Sequence, residues 1–82
     1  MATICSPLDR EVSVVLRGLQ GECNLSNVSL VATTGIEGRT LIRILQGQRP
    51  VTIGELSKLA TALGTAASTI VHAAETRTDS AH

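Results

Sequence analysis

Apolar residues recur at helical spacing near the start of the chain, where Leu8, Val12, Val15, Leu16 and Leu19 form one stripe. Ser6-Pro7-Leu8-Asp9 precedes it with a capping serine, a proline at the first helical position, and an acid placed to reach back or to favour the positive helix end. These features predict a first helix over about residues 7–20, broken by the stretch from Gly21 to Asn24. Ser26 is the next cap, with Leu25 and Leu30 as a hydrophobic staple, so a second helix covers Asn27 to about Thr33. Thr34-Gly35 stops it, since glycine readily takes the left-handed conformation of a helix exit. A third helix runs from about Gly38 to Gln46, its start stapled by Ile36 and Leu41 and its end set by Gly47.

Thr52-Ile53-Gly54-Glu55 is a capping box that opens a fourth helix ending at Gly64, with Leu56, Leu59, Ala60 and Leu63 as its core stripe. The stretch from Thr65 to Ala74 is compatible with a fifth helix carrying Ile70, Val71 and Ala74, against the low helix propensity of its serine and threonine. Beyond Glu75 the sequence predicts a frayed polar tail. The expected organisation is one all-α, compact five-helix domain over residues 1–75, followed by a tail at 76–82.

Composition sharpens this picture in one respect: aromatic residues are absent, so the core must be built from Leu, Ile, Val and Ala, which suits close-packed helices. A hydrophobic content of 43% excludes a disordered chain, and no apolar run approaches the roughly 20 residues that span a bilayer, so a globular protein without a membrane segment is expected. Cys5 and Cys23 form neither a CxxC pair nor a disulfide framework and read as apolar fillers or inert thiols of a reducing cytoplasm. His72 and His82 have no Cys or acid cluster at ligand spacing, no nucleophile triad or glycine-rich phosphate loop can be assigned, and neither an enzyme, a cofactor, a metal nor a small-molecule ligand is expected.

Net charge is zero, yet its distribution is uneven. From Gly38 to Pro50 there are three arginines, Arg39, Arg43 and Arg49, and no acid. Arg39, Arg43 and Gln46 fall at i, i+4 and i+7 on one face of the third helix, while Leu41, Ile44 and Leu45 fall on another. Two short helices joined by Thr34-Gly35-Ile36-Glu37, the second amphipathic and basic, describe a helix-turn-helix.

At these residues the sequence resembles the Cro and lambda-repressor family of helix-turn-helix domains. The resemblance is continuous from Leu25 to about Val71 and needs no insertion. It includes Leu25-Ser26, Leu30-Val31-Ala32, Gly35-Ile36, Thr40-Leu41-Ile42-Arg43-Ile44, Gly47, and Thr52 to Gly64. It implies a double-stranded DNA operator as partner and a small transcriptional regulator, a Cro-like phage or bacterial repressor, as the function. The same resemblance puts Gly38, Arg39, Ile42 and Arg43 at base-reading positions, with Asn27, Thr40, Gln46, Gln48 and Arg49 toward the DNA backbone.

Departures from the family pattern bear on readout. Glu37 replaces the usual Ser or Thr cap; its charge favours the helix dipole and opposes nearby phosphates unless it accepts a hydrogen bond from cytosine N4. Ile42 either touches a thymine methyl or is an exposed or partner-covered apolar residue. A weak homodimer, formed in solution or on DNA, is expected because one short recognition helix reads few base pairs; Ile70, Val71 and Ala74 either contact the second copy or close the core over helix one. An antitoxin, or an interaction module that has lost DNA binding, are the rival readings.

Overall fold

In the computed structural model, which describes residues 5–80, five helices follow one another: α1 (Pro7–Cys23), α2 (Asn27–Thr34), α3 (Gly38–Leu45), α4 (Ile53–Ala62) and α5 (Ala67–Ser80). Local sequence explains their starts. Ser6 and Asp9 exchange capping bonds at the head of α1, where the Asp9 N–H donates to Ser6 Oγ at 3.2 Å and the Ser6 N–H donates to Asp9 Oδ2 at 2.9 Å. The Ser26 hydroxyl accepts the Ser29 N–H at 3.1 Å to open α2. Thr52 and Glu55 repeat the reciprocal box at α4.

Each helix sends at least one fully buried aliphatic residue to a single core: Leu16 from α1, Leu30 from α2, Leu41 and Ile44 from α3, Leu59 from α4 and Ile70 from α5. Burying one such side chain contributes about 1.5–3 kcal/mol, so six of them dominate the cohesion of a domain that has no aromatic ring. Helix α1 packs along α5 and also against α3; α2 sits on α3 and α4, and α4 on α5. The helix-turn-helix is thus held by α4 on one side and by α1 on the other.

Two expectations about helix ends are corrected. Gly21 does not break α1, which runs on to Cys23 and ends at Asn24 in the left-handed conformation (φ 55°). The N–H groups of Asn24 and Leu25 then return to the carbonyls of Gly21 and Gln20 at 3.1 Å. A helical glycine costs about 1 kcal/mol relative to alanine, and the last turn is secured from outside by the Cys23 thiol, 3.6 Å from the Leu63 carbonyl. Likewise α5 does not end at residue 74: residues 76–80 of the expected polar tail are helical. Nothing in Glu75–Ser80 is glycine or proline, and packing on α1 overrides the low propensity of threonine. Arg77 Nε reaches Glu11 Oε1 of α1 at 2.7 Å, and Thr78 is half-buried. At the other end, Thr65 and Ala66 belong to the turn before α5. Residues 81–82 of the expected tail lie outside the described residues.

Candidate nucleic-acid interface

The turn between α2 and α3 is built from three adjacent residues. Gly35 takes φ 75°, a conformation that side-chain-bearing residues rarely adopt, and its N–H closes on the Val31 carbonyl at 2.9 Å. Thr34, buried, donates its hydroxyl to the Leu30 carbonyl at 2.6 Å and accepts the Ile36 N–H at 3.2 Å. Ile36 is then buried beneath the turn, which fixes the angle at which α3 departs. Glu37 stands at the head of α3, exposed and with no side-chain cap bond, so only its charge acts on the helix end.

Helix α3 presents two faces. Leu41, Ile44 and Leu45 are buried, whereas Arg39, Ile42, Arg43 and Gln46 are exposed, in agreement with the spacing; Gly38 and Thr40 are half-buried at the boundary. Its far end is tied to α1 by a contact that the sequence reading missed. Ser13 Oγ donates to the Ile44 carbonyl at 2.6 Å, and the Ser13 side chain stands 3.9 Å from where a Cβ on Gly47 would lie. Gly47 itself has φ 73°, and the Gln48 N–H folds back to the Arg43 carbonyl at 2.9 Å. The available signal was a serine next to Val12 on the apolar stripe of α1, a buried polar group that must find a partner.

The three arginines differ in their surroundings. Arg39 and Arg43 form no ion pair among the described residues and project their charge outward. Arg49 is instead half-buried, with Nη1 2.9 Å from Glu55 Oε1 and 3.2 Å from the Pro50 carbonyl. Glu55 thereby serves the α4 cap and the loop after α3 together. Burial pulls its carboxyl upward, but hydrogen bonds from Arg49 and Thr52, with the guanidinium charge, outweigh this and hold it below the ordinary carboxylate value. Gln46 and Gln48 are exposed on either side of Gly47.

Asn27, exposed in the first turn of α2, accepts a hydrogen bond from Gln20 Nε2 of α1 at 2.6 Å on its Oδ1. It shares an open cleft of about 380 Å³ with Val28, Val31, Ala32, Gly38 and Ile42, so the amide of α2 and the N-terminal half of α3 face one space. Ile70 and Ala74, by contrast, have no exposed surface; they close the core over α1 and offer a second copy nothing to touch. Val71 beside them is half-buried.

No family model matches the chain, and neither does any curated protein. Among solved structures, a crystal structure of the clp gene regulator ClgR from Corynebacterium glutamicum superposes with a TM-score of 0.81 at 17% identity, covering 88% of this chain and 77% of that one. A second crystal structure of ClgR gives a TM-score of 0.78, also at 17% identity, over 85% and 91% of the respective chains. The chain is therefore similar to ClgR in its fold, the five-helix arrangement that carries the α2–turn–α3 unit.

Proposed function

We propose that the protein is a sequence-specific DNA-binding transcriptional regulator that lays α3 in the major groove of an operator and acts in the cytoplasm. The observation that carries this reading is the outward face of α3, where Arg39 and Arg43 stand exposed and without acid partners among the described residues while the opposite face is locked into the core. Their four-residue separation is about 6 Å along a helix axis, close to two base-pair steps of about 3.4 Å. Two guanidinium groups so placed reach the O6 and N7 acceptors of guanines near one another on the duplex. The fold likeness to a gene regulator supports the same conclusion. The finer reading is a Cro-like repressor, which works by occupying operator DNA against polymerase or a competing repressor.

Asn27, Thr40, Gln46 and Gln48 are the neutral donors to phosphates around this face, and Arg49 adds a charge that it shares with Glu55. Two copies on half-sites about 34 Å apart would extend the few base pairs read by one helix. Footprinting on the DNA that flanks the protein's own gene tests the proposal. Protection of a discrete site, lost in Arg39→Ala and Arg43→Ala, is the expected result. Binding no tighter there than on random DNA refutes it.

A further inference from the structure

The exposed apolar side chains of the proposed DNA-binding unit are gathered in one place. Val28, 79% exposed, and Ile42, 43% exposed, come from different helices and line the same cleft. Val31 and Ala32 of α2 continue its wall, and Gly38 opens it from the α3 side. A Cβ on Gly38 would meet nothing closer than Val31 Cγ2 at 3.8 Å, so this glycine leaves room that a side chain could have filled without clash. Asn27 is the one polar residue of the lining. Ile42 follows Arg39 by three residues on the exposed side of α3, so the apolar recess lies beside the face that carries Arg39 and Arg43, two cations that have no acid partner among the described residues.

That combination selects its occupant. The arginines favour a polyanion, and the apolar group that DNA projects into its major groove is the C5 methyl of thymine. We propose that the cleft between α2 and α3 receives a thymine methyl beside the base pairs read by Arg39 and Arg43, and so makes thymine the preferred base at that position of the operator. The inference rests on the DNA-binding function proposed above. Ile42 and Val28 are its walls, Gly38 supplies the space, and the Asn27 amide stands at the rim toward the sugar-phosphate backbone. Removing one methyl from water corresponds to about a fourfold change in affinity, so the cleft sets a preference at one position while the arginines set it at their guanines.

The test begins with selection of tight-binding duplexes from a random-sequence library by the full chain. Each thymine of the selected site is then replaced singly by deoxyuridine, which removes only the methyl. The expected result is one position per half-site where uracil weakens binding about fourfold. In Ile42→Ala the thymine-to-uracil ratio at that position falls to about one, with guanine preference retained. Gly38→Ala, which fits the observed space and favours the helix, keeps the fold and lowers the same ratio. Selected sites at which every uracil is neutral, or an Ile42→Ala protein that keeps the full ratio, overturn the methyl site and leave DNA binding standing; an apolar protein surface is then the occupant left. Failure of any sequence to be enriched overturns both.

Discussion

Glu55→Gln isolates the charge that joins the loop after α3 to α4. Glutamine keeps an oxygen able to accept the Thr52 N–H, so the capping box survives in neutral form, while the ion pair to Arg49 is lost. The side chains of Arg49 and Glu55 are 34% and 20% exposed, so the pair belongs near the upper end of the roughly 0.2–1 kcal/mol measured for solvent-accessible pairs. Charge-assisted hydrogen bonds are about twice as strong as neutral ones, which adds a few tenths for the cap. The total is about 1 kcal/mol, or a fall in Tm of about 4–8 °C for a domain of this size. Far-UV circular dichroism is the suitable readout, because a chain with no aromatic residue has no intrinsic fluorescence to follow. Since the carboxyl is held below its unfolded value, the contribution is fully present above the ordinary carboxylate range and fades as pH falls through the lowered folded value. Wild type and variant should therefore differ at neutral pH and converge in strong acid. A gap in Tm that persists unchanged into acid would refute the charge argument, and a double-mutant cycle with Arg49→Gln that shows no coupling would remove the pair from the account.

Arg43→Ala should weaken binding to the selected site by about 1–3 kcal/mol and relax preference at one base pair, with much less loss on random DNA; equal losses on both would make it a phosphate contact. Arg49→Ala should lower the slope of log affinity against log salt by about one unit, and an unchanged slope would assign Arg49 to Glu55 alone. Ser13→Ala should destabilise the fold by about 1 kcal/mol in chemical denaturation, since the Ile44 carbonyl keeps its bond from the Gly47 N–H; no loss would mean that the 2.6 Å link carries no net stability. Sedimentation with a saturating amount of protein should find two copies on a symmetric duplex, and one copy would sink the dimer.

Three helix starts were legible because they are written in short-range chemistry, Ser6, Ser26 and Thr52 each capping the helix that follows, whereas α5 begins at Ala67 and not at Thr65. Helix ends were less so. Gly21 and the threonines of α5 carry poor local propensity, and contacts between distant parts of the sequence, the Cys23 thiol with the Leu63 carbonyl and the packing of α5 on α1, hold the two helices past them. The exposed face of α3 followed from a spacing of four between Arg39 and Arg43. What no periodicity could reveal was pairing across elements: Arg49 with Glu55, Ser13 with Ile44, Gln20 with Asn27, and the meeting of Val28 with Ile42 around one cleft. The same reason separates Ile70 and Ala74, sealed within the monomer, from Val71, since a stripe of apolar residues does not say which neighbour covers it.

The packing of α1 on α5 also orders events during synthesis. As the chain leaves the ribosome, the apolar stripe of α1 emerges well before its main neighbour, so the core around Leu16 stays incomplete until residues 67–80 have cleared the exit. The intervening α2 and α3 carry the proposed binding unit, yet the far end of α3 is anchored through Ser13 to a helix whose main neighbour, α5, is still missing. Completion of the core then waits on a long-range contact and not on the local helices. A chain that ends before Ala67 would contain every proposed base-reading residue without the helix that completes the core, and is expected to be more open to proteolysis than the full chain.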